Sequence, residues 1–182
     1  MATELANCLR AFREIEAERT RVIVQLADWP SGCIHFRPMP NAWSAPEVLD
    51  HIVRSEGGTI ADVRAGLQSP HILGSEDRPQ VAVLDRLLRS DQKFQVPASA
   101  AATHPDSQTT LPEVVSRWEN ARAELRSLLE GLTPAGAYCG VFFHPFAGWM
   151  TFREVLEHFS SHLYHHGFQL ERLRTSWSKL KA

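Results

Sequence analysis

Residues 151–173 read TFREVLEHFSSHLYHHGFQLERL, and this segment decides the fold that we predict for the chain. Its apolar residues recur at three- and four-residue steps, which is the period of a helix with one buried face. Thr151-Phe152-Arg153-Glu154 is a capping box, in which threonine and glutamate each accept a free backbone N–H of the other residue. The segment therefore predicts a long amphipathic helix. Its apolar stripe is Val155, Leu156, Phe159, Leu163, Leu170 and Leu173.

The same reasoning predicts three more long helices. Apolar residues at helical spacing indicate the first over 4–29. Capping boxes at 44–47 and 110–113 begin the second and third, which run toward Leu67 and Gly131. We therefore predict an all-α fold, a four-helix bundle with long connecting loops.

The connections are predicted from residues that break helices. Segments 69–80 and 96–108 are rich in such residues, and we expect 96–108 to be exposed and mobile. A shorter extra helix is predicted over 81–94, and Gly57-Gly58 is expected to loosen or kink the second long helix. No segment has a convincing strand pattern.

Composition favours one globular domain, 1–182, because 43% of the residues are hydrophobic and 22% are charged. The net charge is -2 and the basic residues are scattered, which argues against a nucleic-acid partner. No apolar run approaches the roughly 18 residues that a membrane span needs. The three cysteines are far apart and the N-terminus does not resemble a secretory signal, so we expect a cytoplasmic location.

Four histidines lie on one predicted helix. His162 and His166 are four residues apart, a spacing that places two side chains on one face with Cβ atoms about 5–6 Å apart. His158 has the same relation to His162, but it lies about 12 Å along the axis from His166, too far to share an ion. His165 points about 100° away from His166. The residues alone leave two candidate metal-binding pairs, His158 with His162 and His162 with His166.

His51 lies far upstream, on the second predicted helix. If the two helices pack side by side, three imidazoles converge, and a metal ion satisfies buried imidazoles that otherwise need hydrogen-bond partners. A zinc protease is excluded, because its motif requires a glutamate directly after the first histidine ligand, where Phe159 and Leu163 stand here.

Three segments together resemble the DinB superfamily, in the branch of metal-dependent hydrolases related to bacillithiol transferases. They are WSAPEVLDH at 43–51, HPFAGWMTFRE at 144–154 and HLYHHGFQ at 162–169. The resemblance implies a DinB-like four-helix bundle whose metal ligands are His51, His162 and His166, with Gln169 as the trailing family residue. It makes His158 a residue near the ligands or at the surface, and His165 a bundle or interface residue. It also implies a homodimer.

Three imidazole ligands leave one position on a divalent ion open for water or substrate. The pKa of water bound there falls toward 7, and a thiol bound there loses its proton. We therefore expect a metal-dependent enzyme, a hydrolase or a thiol S-transferase, which acts on a small electrophile and uses water or a low-molecular-weight thiol. We expect zinc or nickel, although imidazole also suits copper and iron.

No catalytic base is identified. Glu47 and Glu154 are candidates by position, but each is the glutamate of a capping box, which accounts for them. Trp43 and Trp149 are interpreted as hydrophobic staples before their helices. The missing base keeps two alternatives open: a non-catalytic metal-binding or ligand-binding module of a stress response, and histidines that only pack.

Overall fold

The computed structural model describes residues 2–74, 76–77, 80–93, 96 and 98–181. Four long helices dominate the structure, and the prediction of an all-α four-helix bundle is confirmed. Two short α-helices and two 3-10 helices lie in the connections. The α-helices are α1 (Ala2–Ala27), α2 (Ser31–Ile34), α3 (Ala45–Gln68), α4 (Val81–Leu88), α5 (Leu111–Glu130) and α6 (Phe152–Lys179), and the 3-10 helices are Ala98–Thr103 and Gly136–Tyr138.

All three predicted capping boxes are present. The glutamates at 47, 113 and 154 accept hydrogen bonds from the backbone N–H groups of Ser44, Thr110 and Thr151 at 2.8, 3.0 and 2.8 Å. These bonds begin α3, α5 and α6 at the residues that the sequence predicted. Glu47 and Glu154 are therefore capping residues, as their positions indicated.

The connections differ from the predictions in three ways. An antiparallel hairpin, β1 (Phe142–His144) with β2 (Gly148–Met150), pairs Phe142 with Met150, whereas no strand was predicted. The segment expected to be exposed and mobile contains the 3-10 helix Ala98–Thr103, which packs against α3. The short helix predicted over 81–94 ends at Leu88, and the predicted end, Phe94, lies outside the described residues.

Helix α3 is continuous across Gly57-Gly58, so these glycines do not interrupt it. In the part of the chain that the structure describes, no helix combines the length and apolarity needed to cross a membrane.

The core consists of two clusters of buried apolar side chains. Helix α6 packs against α1, α3 and α4, and α3 packs against α5. A buried polar contact joins α3 to α5: Glu56 accepts hydrogen bonds from Trp118 Nε1 and from Arg122, each at 2.7 Å. This packing places α3 beside α6, so the histidines on the two helices face each other. The second cluster, which adjoins these histidines, includes Val48, Ile52, Leu163, Leu170 and Leu173.

Candidate metal centre

Three histidines from two helices meet in the structure. His51 comes from α3, His162 and His166 come from α6, and one ring nitrogen of each lies within 4.8 Å of the other two. The Nε2 atoms of His162 and His166 are 3.1 Å apart. Two nitrogens bound to one tetrahedral zinc ion at 2.0–2.1 Å lie roughly 3.3 Å apart, so this spacing fits a shared ion.

The outer nitrogens of two of these rings are held by the protein. His51 Nδ1 lies 2.8 Å from the backbone carbonyl of Thr103, and His166 Nδ1 lies 2.9 Å from Gln169 Oε1. Oxygen atoms of this kind only accept hydrogen bonds, so each Nδ1 carries the proton and each Nε2 keeps its lone pair. This arrangement fixes the ring orientation of metal-binding histidines in proteins. The lone pairs of His51 and His166 therefore face the third imidazole, His162, and the three residues could hold a metal ion.

The residue before His51 attaches the loop that carries Thr103 to α3. Asp50 is fully buried and accepts a hydrogen bond from the backbone N–H of Asp106 at 2.7 Å. It also pairs with Arg54 at 2.8 Å and Arg117 at 2.7 Å. Burial raises the pKa of Asp50, but the Asp106 N–H and the two guanidinium groups outweigh it, and the net pKa is lowered. The ionised carboxylate therefore ties the loop to α3 beside the histidines.

The three imidazoles are neutral at physiological pH. Burial, followed by the neighbouring imidazoles, lowers the pKa of His166 to about 3 and the pKa of His162 well below its usual range. Burial also lowers the pKa of His51, against the opposing effect of the Thr103 carbonyl. Neutral imidazole is the form that binds metals.

Of the two pairs that the spacing left open, His162 and His166 are the closer. Their ring centroids are 4.6 Å apart, whereas those of His158 and His162 are 5.9 Å apart and nearly parallel. His158 lies between His162 and His144 of β1, whose ring centroid is 5.2 Å away. Burial, followed by His144, lowers the pKa of His158 to about 3. His158 is thus a half-buried neighbour of the cluster.

Two further histidines of the cavity wall, His144 and His165, contact the backbone of the protein. His144 Nδ1 accepts hydrogen bonds from the backbone N–H groups of Phe146 and Ala147, both at 3.1 Å, so its proton lies on Nε2. His165 is buried and contacts the backbone of Leu88 and Ser90 at the end of α4, which is a contact within the bundle.

The histidines line a cavity of about 1060 Å³. Its wall also includes Trp43, whose ring centroid lies 5.0 Å from that of His51. Trp43 packs against the second apolar cluster as a staple would, and it borders the cavity as well. Trp149 stacks on His71 at 4.5 Å, outside the cavity wall. Among the described residues that line the cavity, Glu171 is the one carboxylate, so Glu47 and Glu154 are not placed as bases.

Fold and site together define a helical bundle with a histidine cluster that could hold a metal ion. The chain belongs to the DinB superfamily, whose family model matches residues 14–170. No curated protein and no solved structure matches the chain.

Sequence reasoning missed two groups at this site. The Thr103 carbonyl belongs to the backbone, so no side-chain pattern marks it. His144 stands in one of the quoted segments, yet its role depends on the hairpin that the sequence did not predict. The contact between His51 and Thr103 spans 52 residues, which local periodicity cannot reveal.

Proposed function

We propose that the protein is a metal-dependent enzyme in which His51, His162 and His166 bind one divalent ion, zinc or nickel, and that its substrate is a small electrophile. The observation that carries the proposal is the convergence of three neutral imidazoles at the wall of a cavity of about 1060 Å³. Ligand pockets are typically about 300–1,000 Å³, so this cavity is large enough for a small molecule. The open position of such an ion binds water or a thiol and makes it nucleophilic.

The protein's own groups orient the ligands. The Thr103 carbonyl and the Gln169 amide hold His51 and His166 with their Nε2 lone pairs toward the cluster. His144, with its proton on Nε2, can donate a hydrogen bond to a molecule in the cavity. Trp43 provides an aromatic wall beside His51.

We propose a thiol rather than water as the nucleophile, because the thiol route needs no protein base. Hydrolysis benefits from a protein base with a pKa near the working pH. The pKa of His158 is lowered to about 3, burial lowers the pKa of His144, and the described wall offers one carboxylate, Glu171, which is exposed. His104 also lines the cavity and is a further imidazole that could act as a base in hydrolysis. A divalent ion held by His51, His162 and His166 would itself lower the pKa of a thiol, so this route would need no protein base. In the transfer, sulfur bonds to the electrophilic carbon, the leaving group departs with its electron pair, and the thiol proton passes to solvent.

The test uses tag-free protein loaded with zinc or nickel. We expect conjugation of cysteine or glutathione to 1-chloro-2,4-dinitrobenzene to require metal and to be lost in His162→Ala. The control His35→Ala changes an exposed residue directly after α2 and should retain the conjugation activity. Metal-dependent turnover of p-nitrophenyl acetate alone would assign the site to hydrolysis instead.

Two results would contradict the proposal. A metal-loaded protein that turns over neither probe would be the binding module that we weighed as the alternative. A protein that takes up no metal would mean that the histidines only pack.

We also propose that residues 1–182 form one domain and that the protein acts in the cytoplasm as a homodimer. The dimer follows from the family resemblance, and light scattering on the purified chain measures it directly: a mass of twice 20.5 kDa is expected.

A further inference from the structure

The charges around the cavity are predominantly positive. Among the described residues that line it, Lys93, Arg172 and Lys179 are cationic and Glu171 is anionic. The chain as a whole has a net charge of -2, so this excess of cations is local. Three neutral imidazoles also leave the charge of a divalent ion uncompensated. The cavity therefore favours an anionic molecule.

Arg172 is the cation of this group nearest in sequence to the metal-binding histidines. It lies six residues after His166 on α6, about 9 Å along the helix axis, and it is half-buried. Arg172 stands about 120° around the helix from His166, and because side chains on a helix lean toward its N-terminus, it extends along the axis in the direction of His166. After burial and the neighbouring imidazoles, the charge of Arg172 further lowers the pKa of His166.

The guanidinium of Arg172 has no hydrogen bond and no ion pair with any residue that the structure describes. Other half-buried or buried arginines do: Arg54 pairs with Asp50, Arg122 with Glu56, and Arg153 with Glu4. A partly desolvated guanidinium beside a cavity has donors that an oxyanion in that cavity can satisfy. Its planar fork matches the two oxygens of a carboxylate.

We propose that Arg172 is a specificity-determining residue that binds a carboxylate of the substrate, so that the cavity selects small molecules with a carboxylate at one end and a metal-binding or reactive group at the other. This inference rests on the proposed metal site, because the metal ion fixes the second end of the molecule.

The test measures binding to cobalt-loaded protein, whose absorption spectrum reports ligands on the ion. The probes are the monohydroxamates of succinic and glutaric acid, each compared with the uncharged amide of the same length. Charged hydrogen bonds contribute enough that we expect at least one acid to bind about tenfold more tightly than its amide. Arg172→Gln should remove this preference.

Two further variants separate a specific contact from general attraction. Arg172→Lys keeps the charge without the fork and should retain only part of the preference. Arg174→Gln removes the same charge from an exposed position on α6 outside the cavity wall. This variant should retain the full preference for the acid over the amide.

Equal binding of acids and amides by the native protein would overturn the inference, as would a preference that persists in Arg172→Gln. Both results require a cobalt spectrum, which is recorded before any probe is added. Absence of that spectrum would instead contradict the proposed metal site, and the inference would fall with it.

Discussion

His166 uses both nitrogens of its ring, and this makes its orientation the most constrained in the cluster. Nδ1 donates to Gln169 Oε1 at 2.9 Å, while Nε2 lies 3.1 Å from Nε2 of His162. Because Gln169 is one turn further along α6, the helix itself sets the distance between donor and acceptor. The amide thus selects the tautomer that a metal ion requires.

Replacing Gln169 tests this role. In Gln169→Leu the acceptor is lost, and we expect metal affinity to fall about 10- to 100-fold, as is usual for residues that support metal-binding histidines. Gln169→Glu keeps an acceptor and should bind metal at least as tightly as the native protein. Competition with a chromophoric chelator measures both affinities. If Gln169→Leu and the native protein bind alike, the amide has no part in the site.

The four-residue spacing of His162 and His166 predicted that the two residues share a helix face. It could not choose between that pair and His158 with His162, since both have the same period. The family resemblance indicated the pair that the structure brings closest, at 4.6 Å between centroids. Arg172 could not be identified from the sequence, because its lack of a partner is a property of the folded chain.

Helix α3 and the chain that enters β1 pack so closely that only glycine fits at position 66. A Cβ built on Gly66 would lie 2.0 Å from the carbonyl oxygen of Val141. Since Val141 precedes the strand that carries His144 to the cavity, this contact connects the helix to the candidate site.

We expect Gly66→Ala to displace this backbone and to reduce the free energy of unfolding by about 1–3 kcal/mol, as overpacking does. Gly58→Ala is the control, because Gly58 is exposed on the same helix and has nothing within 4 Å of its Cβ position. It should stabilise the protein by about 0.5–1 kcal/mol. Urea unfolding measures both. A Gly66→Ala variant as stable as Gly58→Ala would refute the close contact.

Helix α4 forms part of the cavity wall through Leu84 and Leu88, and a carboxylate attaches it to α6. Asp85 accepts hydrogen bonds from Ser161 on α6 and from Arg89 at 2.8 Å. Burial raises the pKa of Asp85, but these two partners outweigh it, and the net pKa lies below its ordinary value of 3.8.

Because folding lowers the pKa of Asp85, the interaction stabilises the protein fully at pH values above the ordinary pKa of 3.8. This stabilisation is lost as the pH falls through the pKa of the folded state. We therefore expect the free energy of unfolding of the native protein to decrease more steeply below about pH 5 than that of Asp85→Asn. Urea unfolding between pH 6 and pH 3, with chelator present, gives both slopes. Asp62→Asn, at an exposed position on α3, should keep the native slope. Identical slopes for Asp85→Asn and the native protein would contradict the assignment.

The long helices were predictable because each carries its own period and capping box. The hairpin was not, because a three-residue strand is too short for alternation to be recognised. Segment 96–108 has the composition of a mobile loop, yet Asp50 and His51 bind its backbone at Asp106 and Thr103. These contacts span more than 50 residues, so local sequence carries no trace of them.

At the scale of the whole molecule, the apolar core positions the histidines, because α3 and α6 bury apolar side chains in both core clusters. We expect chelation of the metal to leave the helical circular dichroism unchanged. The melting temperature should nevertheless fall, because a ligand at 1,000 times its Kd contributes about 4 kcal/mol. Equal melting temperatures with metal and with chelator would show that the folded state binds no ion.

The central claim is that His51, His162 and His166 bind one metal ion together. An anomalous difference map, recorded above and below the absorption edge of the metal on crystals of tag-free protein, tests it most directly. We predict one peak per chain at about 2.0–2.1 Å from the Nε2 atoms of all three residues. No peak among these rings, or a peak bound to other residues, would contradict the account.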